Sequence, residues 1–512
     1  MISFNLVDQP WIPVRRLNGK RDTLSLFDTL LECDGIWAIE DESPLVAAAL
    51  HRFLLAVLHR ALEGPATVDE AAEWFRDGFP GDHIATYLKR WGERFDLFDR
   101  SRPFFQVPGL DQVAKPKPWS FLLPEEGSGN TSPLFNDRLH HNHAEEPATC
   151  AEAARAMLAY QTFVLGGLIK VFLTSAPGSA VAQAALVIVQ GANLRETLAL
   201  NLVPYVALDL DTPIWERDEV LLLDRMKGAP RERAAGFVQG YTWPYRSLLL
   251  VPATDTQPVR VEAVYVGAGV RLEASEAYRT DPMAAYRLIE WGLMPIRFRP
   301  GRHFWRDFVA LLPRTATDQE TAPGVVCHAC DLYHVLGMRD RPPVLLVSGQ
   351  SSDQAKIDLW RAELLALPSA LLADRSVHGP IQQALLEAEA GGKCLSKATM
   401  TLAKTLLSRA RSPTQQDARH LTQALPGKEA YWTALQAAFA AFLSSLTPDF
   451  DPDSVAMKWN AAVCRALHEA WQCTAQAVGT NAAGLLALAA GERVLSPWMA
   501  DLRARTPQSG VT

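Results

Sequence analysis

The sequence of 512 residues predicts an α+β fold, with a mixed α/β amino-terminal domain followed by a carboxy-terminal four-helix bundle. Its length accommodates two or three domains of roughly 100 to 200 residues, and its 48% hydrophobic and 21% charged residues are typical of a globular chain. The third observation is a change of pattern: short β-branched and aromatic runs separated by Pro and Gly give way to segments rich in Ala, Leu, Gln, Lys and Arg. We therefore assign the first domain to residues 1–370 and the second to residues 371–512.

Helical and extended patterns alternate in the amino-terminal domain. Apolar residues recur at helical spacing in Pro44–Leu62 and in Ala151–Leu165. The segment Asn5–Val14 is bounded by prolines, and Arg260–Val266 alternates between polar and apolar residues, so both are predicted to be extended. This mixture of helices and strands predicts a domain of the mixed α/β type.

A polar turn is predicted within Val347–Lys356. It follows the apolar run Pro343–Leu346 and precedes Ile357–Trp360, which indicates a strand, a turn and then a helix. The residues alone leave two interpretations open. The turn is a helix cap in which a serine or Asp353 accepts the first helical N–H groups, or it projects a glutamine that wedges between base pairs.

Four long helical runs are predicted in the carboxy-terminal domain, at residues 380–411, 427–446, 452–478 and 481–505. Large apolar residues recur every four positions in the third run, which predicts a stripe that packs against neighbouring helices. The members of this stripe are Trp459, Val463, Leu467 and Trp471. A helix bundle is the arrangement that this pattern favours.

Basic residues of the first helical run are spaced by 4, 7 and 7 positions, which places them on one face of a helix. They are Lys393, Lys397, Lys404 and Arg411. Two interpretations stay open, a solvated helix face or a stripe that contacts the phosphates of a nucleic acid.

Charge and cysteine usage exclude several classes of protein. The 50 basic and 57 acidic residues give a net charge of −7, so any nucleic acid must be bound by local basic patches. Seven cysteines are too few, and odd in number, for a disulfide framework.

The start Met1–Asn5 lacks the regions of a secretory signal, and no apolar stretch reaches about 18 residues, since even Phe163–Leu173 is interrupted by Lys170. We expect a cytoplasmic protein with reduced thiols and no membrane contact.

Two groups of cysteine and histidine are candidates for metal sites. Cys327 and Cys330 form a CxxC, but a structural zinc site needs four ligands and no second CxxC exists, so we interpret both as buried thiols. Three histidines in His140–His143 lie near Cys150, yet histidines this close seldom complete one tetrahedral site. We predict no metal and no other cofactor. A metal-dependent nuclease that uses the His140–His143 region is the alternative function.

Motifs of common enzymes are missing from the sequence. It contains no GxxxxGK[ST], no HExxH, no GxSxG and no GxGxxG after a strand. A catalytic triad need not be local in sequence, but binding is favoured over catalysis.

The densest basic segment, Ile296–Arg306, interleaves four arginines and a histidine with three aromatic residues. This composition is what a groove for phosphates and stacked bases requires. An exposed strand would show the same alternation, with Arg297 and Arg299 on one face and Phe298 on the other. Both interpretations stay open.

Several segments together resemble the CasA family, the large subunits of the type I-E CRISPR surveillance complex Cascade. The resemblance implies the two-part fold that composition already predicts, and it spans nearly the whole chain. The segments that carry it are Asn5–Val14, Phe95–Phe98, Pro103–Gln106, Leu134–Asn136, Gln161–Phe163, Gly166–Gly167, Gly191–Leu198, Gly236–Pro244, Gln354–Ala355 and the closing helices.

This resemblance implies a subunit that is not an enzyme. Such a subunit recognises the protospacer-adjacent motif in double-stranded target DNA, starts strand separation for the guide RNA, and helps recruit the Cas helicase–nuclease. The implied partners are therefore target DNA, the Cascade subunits that contain the guide RNA, and that helicase–nuclease. In RNA-guided systems the protein reads a short duplex element, and base pairing with the guide RNA reads the long sequence.

The resemblance also implies individual DNA-binding residues. Gln354 and Ala355 correspond to the family's glutamine wedge, beside which Asp353 is expected to cap the following helix. Gly166 and Gly167 correspond to a glycine-rich loop, whose backbone can approach a minor groove closely because it carries no side chain.

Three further positions follow from the resemblance. Phe135 and Asn136 correspond to a mobile loop near the motif and the guide-RNA end, and Arg271 is the nearest basic candidate for the family's lysine finger. Some members bind zinc through paired CxxC motifs that flank the mobile loop. This chain has neither motif there, which again predicts no metal.

Overall fold

A computed structural model of the chain describes residues 2–126, 146–204, 210–253, 257–313, 320–339, 341–353, 356–373, 376–408 and 414–505. The chain divides into two compact units. The first, called here the amino-terminal unit, comprises Met1–Arg302, Ala310–Met338 and Pro343–Leu364, and the second, the carboxy-terminal unit, comprises His303–Val309, Arg339–Pro342 and Leu365–Thr512.

The strands are mostly short. They are β1 (Ile12–Arg16), β2 (Arg21–Leu24), β3 (Ile36–Ile39), β4 (Pro116–Pro118), β5 (Ala148–Thr149), β6 (Gly167–Leu168), β7 (Ser175–Ala176), β8 (Leu186–Gln190), β9 (Arg231–Arg233), β10 (Arg246–Ala253), β11 (Arg260–Ala268), β12 (Arg271–Glu273), β13 (Tyr286–Ile289), β14 (Gly292–Pro295), β15 (Glu320–Thr321), β16 (Val344–Asp353) and β17 (Lys356–Ala366).

The longest helices lie in the last third of the chain. The α-helices are α1 (Leu26–Leu31), α2 (Pro44–Leu62), α3 (Val68–Asp77), α4 (Gly81–Trp91), α5 (Cys150–Phe163), α6 (Leu194–Asn201), α7 (Leu223–Lys227), α8 (Phe237–Tyr241), α9 (Gly324–Leu336), α10 (Ser369–Leu372), α11 (His378–Leu407), α12 (Gln415–Ala424), α13 (Gly427–Ser445), α14 (Pro452–Val478) and α15 (Ala482–Ala504).

The strands form several small sheets instead of one large one. Two matter for the candidate site: the order β10-β11-β4, in which β5 also pairs with β11, and the order β17-β16-β8. Strands β10 and β11 are antiparallel from Arg246 opposite Ala268 onward. Strands β16 and β8 are antiparallel with Val344 opposite Gln190. Strand β10 of the first sheet bonds to the separate two-stranded hairpin β6-β7, and the second sheet contains the connection from β16 to β17.

Helix α2 forms the centre of the amino-terminal unit. Its sequence fixes where it begins, because the Ser43 hydroxyl accepts a hydrogen bond from the backbone N–H of Val46 at 3.2 Å and Pro44 occupies the first turn. By length and composition it is the one helix among the described residues that could cross a membrane, but 94% of its apolar stretch is buried within the fold. Phe53 lies among other aromatic rings, with Trp11 and Trp215 each at 5.6 Å between ring centroids.

The carboxy-terminal unit is built on long helices, as the sequence predicts. Trp459, in the predicted apolar stripe of α14, is 2% exposed and donates from its indole nitrogen to the carbonyl of Ala384 at 2.9 Å. The hydroxyl of Tyr431 on α13 donates to the carbonyl of Ala388 at 2.8 Å. Both bonds join a neighbouring helix to α11, which therefore lies at the centre of the bundle.

The predicted mixture of helix and sheet followed by a helical region is confirmed. Helix α2 has the predicted bounds, α5 matches the predicted helix to within two residues, and β11 contains the predicted strand. The four predicted long helices are present as α11, α13, α14 and α15, and the apolar stripe of α14 is buried. The short helix α12 between the first two was not predicted.

Two predictions of secondary structure are wrong. The segment Asn5–Val14 is not extended throughout, because residues 6–8 form a turn and β1 begins only at Ile12. The predicted helix at Ile357–Trp360 is a strand, part of β17. From Ile357 to Leu365, buried or half-buried residues alternate with exposed ones, and this period of two belongs to a strand.

Candidate nucleic-acid interface

Gly166 and Gly167 lie in a small two-stranded hairpin that follows α5 directly. We call residues 164–178 the glycine hairpin; its strands β6 and β7 pair with Gly167 opposite Ala176. A methyl group added at Gly166 would lie 3.0 Å from the backbone nitrogen of Gly178, and one at Gly178 would lie 2.8 Å from the nitrogen of Gly166. At Gly167 it would meet nothing within 4 Å. Gly166 and Gly178 therefore allow the two backbone segments to touch, whereas Gly167 leaves an exposed, open stretch of backbone.

A buried arginine holds the base of the glycine hairpin. Arg246 on β10 is 3% exposed, and its guanidinium donates to the carbonyl of Leu165 at 2.7 Å and to the carbonyl of Pro177 at 2.8 Å. Gln161 on α5 forms a reciprocal pair with the backbone of Arg246, at 2.7 and 2.9 Å. Burial lowers the pKa of Arg246, but a guanidinium stays protonated at neutral pH. One cation thus ties both sides of the hairpin base to β10.

The far part of the glycine hairpin is anchored as well. The backbone N–H of Ala268 donates to the carbonyl of Val171 at 3.1 Å. A methyl group at Gly267 would lie 3.0 Å from the side chain of Val171 and 3.1 Å from that of Phe172. Leu168 remains 74% exposed, and Lys170 is exposed too. The hairpin therefore presents open backbone, an apolar side chain and a positive charge from an anchored base.

The candidate wedge lies where β16 is followed by β17. The two strands are neighbours in their sheet, and only two residues separate them, a length that can join antiparallel strands but not parallel ones. Those two residues, Gln354 and Ala355, lie outside the described residues. The predicted helix cap at Asp353 is wrong, because a strand follows instead of a helix; Asp353 is the exposed last residue of β16.

Hydrogen bonds connect β16 to the residues that flank the glycine hairpin. The side-chain amide of Gln350, which is fully buried, donates to the carbonyl of Phe163 at 2.6 Å and to the carbonyl of Ala182 at 2.9 Å. Closer to the end of β16, the amide of Gln183 donates to the hydroxyl of Ser352 at 2.8 Å. These contacts hold β16 against the residues on either side of the glycine hairpin, although about 170 to 190 positions separate the bonded residues in the chain.

Arg271, the candidate for the lysine finger, is half-buried at the start of β12. Its guanidinium donates to the carbonyl of Ala229 at 2.7 Å, and its backbone N–H donates to the carbonyl of Pro230 at 2.9 Å. The side chain is thus bonded to its own unit. The remaining candidates by resemblance, Phe135 and Asn136, lie outside the described residues.

The three described lysines of the basic stripe are exposed on α11. Lys393, Lys397 and Lys404 lie within about 40° of one another around the helix axis and span about 16 Å along it. The opposite face of the helix is buried and includes Leu395 and Leu402. Arg411 lies outside the described residues. The lysines therefore form one line of positive charge on the surface of the carboxy-terminal unit.

Within the basic segment near residue 300, the arginines and the aromatic residues face differently. Arg297 and Arg299 are exposed, whereas Phe298, Phe304 and Trp305 are each at most 2% exposed. A ring that is buried in the fold cannot stack on a nucleobase. The guanidinium of Arg297 donates a hydrogen bond to the side-chain oxygen of Gln183 at 2.7 Å. The structure therefore favours the surface interpretation over a base-stacking groove.

Cys327 and Cys330, which the sequence predicts to be buried, are both half-buried. Cys327 lies on α9, and burial raises the pKa of its thiol to about 11. His328 beside it lies 3.0 Å from the carbonyl of Ala199, and burial lowers its pKa to about 4. Within the described part of the chain, no three His, Cys, Asp or Glu residues are grouped as metal ligands would be. The His140–His143 region lies outside that part.

Sequence reasoning missed the residues that bond the glycine hairpin and its flanks to β10 and β16. Arg246, Gln350 and Gln183 are polar residues in or beside otherwise apolar segments, and their partners are distant in sequence. A buried arginine within the strand Arg246–Ala253 is unusual enough to mark a paired group. The two glutamines carry no comparable signal in the sequence.

Comparisons with known proteins identify the family and the fold. The family model for CRISPR-associated protein Cse1 matches residues 5–470. CRISPR-associated protein CasA/Cse1 of Thermus thermophilus is 39% identical over 510 residues, covering 98% of each chain. The crystal structure of Thermus thermophilus CasA superposes with a TM-score of 0.85 at 37% identity, covering 97% of this chain and 99% of that one. A chain of a CRISPR RNA-guided surveillance complex has the same fold, with a TM-score of 0.73 at 20% identity, covering 98% of this chain and all of that one.

Proposed function

The chain belongs to the CRISPR-associated Cse1 family, and we propose that it is the large, non-catalytic subunit of a type I-E RNA-guided surveillance complex. In that complex it recognises the protospacer-adjacent motif in double-stranded DNA, begins strand separation and helps to recruit the Cas helicase–nuclease. Its protein partners are the Cascade subunits that contain the guide RNA. A chain with the same fold belongs to an RNA-guided surveillance complex, which supports this assignment of partners.

The observation that carries the proposal is the open backbone of the glycine hairpin, whose flanking residues bond to β16. The minor groove of B-DNA is about 6 Å wide, and a backbone without side chains enters it more readily than one with them. Gly167 offers such a stretch, because nothing lies within 4 Å of the position a methyl group would take. The bonds from Arg246 hold that stretch in place before DNA arrives.

Reading from the minor groove limits how strictly the motif is recognised. That groove distinguishes mainly A·T from G·C pairs, so a backbone reader accepts several related motifs. We therefore expect recognition of a short, degenerate motif. The long target sequence is read by pairing with the guide RNA.

Strand opening is assigned to the connection between β16 and β17. Gln354 is the wedge, and inserting it between base pairs costs a few kcal/mol for each unstacked step. That free energy is recovered from groove contacts and from guide pairing, which explains why recognition precedes opening. Asp353, exposed beside the wedge, repels phosphates and so keeps them away from this edge of the sheet.

Basic side chains add affinity that does not depend on sequence. Lys393, Lys397 and Lys404 present one line of charge on α11, suited to a phosphate backbone. Arg271, Phe135 and Asn136 belong to the proposed DNA interface on the strength of the family resemblance. For Arg271, the bond to Ala229 leaves the positive charge in place, so it can still attract a phosphate.

The proposal is tested with the reconstituted ribonucleoprotein complex and Gln354→Ala. Opening of a closed duplex, followed by 2-aminopurine fluorescence beside the motif, should slow far more than binding to a pre-opened bubble weakens. Gln416→Ala, which changes an exposed glutamine of the carboxy-terminal unit, is the control and should behave like the unmodified chain. Equal losses of Gln354→Ala on both substrates would contradict a wedge.

A further inference from the structure

Gln350 occupies a position from which one side chain reaches both flanks of the glycine hairpin. Its amide nitrogen lies 2.6 Å from the carbonyl oxygen of Phe163, the last residue of α5, and 2.9 Å from that of Ala182. The first contact lies just before the hairpin and the second just after it. No backbone pairing between strands connects β16 to the glycine hairpin directly among the described residues.

The orientation of this amide is fixed by its neighbours. Both contacts are carbonyl oxygens, which only accept hydrogen bonds, so the nitrogen of Gln350 must face them. Its side-chain oxygen is buried and has no partner among the described residues. Burying an oxygen without a hydrogen-bond partner is unfavourable. An apolar side chain of similar length would fill the same space without that cost. The two bonds that it donates are therefore what the glutamine provides and such an apolar side chain would not.

Two further contacts hold the same stretch of β16. A methyl group added at Gly349 would lie 2.5 Å from the carbonyl oxygen of Ala184, so the two backbones touch. Beyond Gln350, the hydroxyl of Ser352 accepts from Gln183, whose own oxygen accepts from Arg297. Residues 349–352 are thus held against residues 182–185 at successive points, and β16 has little freedom to slide.

We propose that Gln350 is a positioning residue that couples motif recognition by the glycine hairpin to strand opening at the end of β16. The inference rests on the proposed function and deepens it. By strand geometry, the end of β16 at Asp353 lies about 10 Å from Gln350, close to the rise of three base pairs. These bonds hold the end of β16 in a fixed position relative to the glycine hairpin, so that DNA seated on the hairpin presents a defined base-pair step to that end.

The test uses Gln350→Met, which keeps the length of the side chain and removes both hydrogen bonds. In the complete complex, opening of a duplex with the preferred motif should slow by about ten- to a hundredfold, since misplacement of a working group by about 1 Å has effects of up to that size. The ratio of opening rates between the preferred motif and a single-base variant should fall toward one. Binding to a pre-opened bubble should stay within about twofold, because the two bonds act before opening.

Gln106→Met is the matched control. Gln106 is 1% exposed and likewise donates from its amide to two carbonyls, those of Leu97 and Phe104, but neither belongs to the glycine hairpin or to β16. It should lower the unfolding temperature as Gln350→Met does and leave the ratio of opening rates unchanged. Ser352→Ala, at a half-buried site, removes the bond from Gln183 to Ser352. It should lower the ratio of opening rates between the two motifs by a smaller factor than Gln350→Met. This variant keeps the proposal testable if Gln350→Met folds poorly.

A double-mutant cycle with Gln354→Ala separates the two proposals. If Gln350 acts through the wedge, Gln350→Met should not slow opening further once Gln354 is alanine; additive losses would overturn the positioning role. The role also fails if Gln350→Met, like Gln106→Met, lowers only the unfolding temperature. Should Gln354→Ala itself leave opening unchanged, the wedge is wrong and the proposed function fails, whatever Gln350 does.

Discussion

Arg52 and Asp281 form an ion pair of 2.7 Å in the interior of the amino-terminal unit, where their side chains are 2% and 1% exposed. Burial opposes the charge on Arg52, but Asp281 together with Tyr278 and Tyr241 outweighs burial and raises the pKa of the guanidinium. The hydroxyl of Tyr278 also donates to Asp281, at 2.7 Å. The segment after Asp281 accepts a hydrogen bond from Val187 on β8 through the carbonyl of Met283. The pair thus supports the sheet that contains β16.

Removing the negative partner of this pair should destabilise the unit strongly. Asp281→Asn leaves a buried guanidinium without a counter-charge, which costs about 3–5 kcal/mol. Urea-induced unfolding followed by tryptophan fluorescence measures the loss. Asp224→Asn breaks a surface pair in which Asp224 is 93% exposed, and it should leave the free energy of unfolding nearly unchanged. A small effect of Asp281→Asn would show that the pair is replaceable.

Substitutions at two glycines of the glycine hairpin should affect stability and motif recognition differently. Gly178→Ala puts a methyl group 2.8 Å from the backbone nitrogen of Gly166, so it should destabilise the chain by about 1–3 kcal/mol. Gly167→Ala meets open space and should leave the unfolding temperature nearly unchanged, yet reduce the preference for the correct motif in a competition binding assay. Wild-type motif preference in a folded Gly167→Ala complex would argue against groove reading at this position.

The line of lysines on α11 should make DNA binding sensitive to salt. Log affinity falls as log salt concentration rises, with a slope of about −0.9 for each phosphate contact. Changing Lys393, Lys397 and Lys404 together to alanine should therefore make this negative slope shallower by about 2.7. Electrophoretic mobility shifts at several salt concentrations measure the slope. Lys428→Ala with Lys458→Ala, two exposed lysines of the same unit, is the control. An unchanged slope in the triple variant would identify a solvated face.

Buried histidines should make stability depend on pH. Burial lowers the pKa of His51, His59 and His328 to about 4 each. The unfolded chain, with histidine pKa near 6.5, binds these protons first, so stability is full above about pH 6.5 and falls as the pH drops toward 4, by up to about 1.4 kcal/mol per pH unit for each histidine.

Denaturant unfolding between pH 7.5 and pH 4.5 measures this dependence, and His59→Gln tests its origin. Glutamine can still donate to the carbonyl of Gly64, which lies 2.9 Å from the ring of His59, but it does not titrate. The variant should therefore show a shallower fall in stability below pH 6.5. An identical fall in both proteins would place the effect in other groups.

Local periodicity explains which elements were predictable. Helix α2 could be located because it is a long apolar run with helical spacing, nearly all of which is buried, and the stripe of α14 because every fourth residue packs against neighbouring helices. The start of β17 was wrongly predicted to be a helix. Over so few residues, the apolar positions Ile357, Leu359 and Trp360 fit either an amphipathic helix or a strand. Only the alternation along the whole strand decides between them.

Residue types and their local order were enough to establish the family, the division into a mixed amino-terminal part and a helical carboxy-terminal part, and the glycines of the hairpin. Folding, in contrast, was needed to show that Arg246 closes the base of that hairpin and that Gln350 ties it to β16. It was also needed to show that Phe298 and its aromatic neighbours are buried. A polar side chain takes its role from the partner that folding brings within about 3 Å, and local pattern does not encode a partner some 190 positions away.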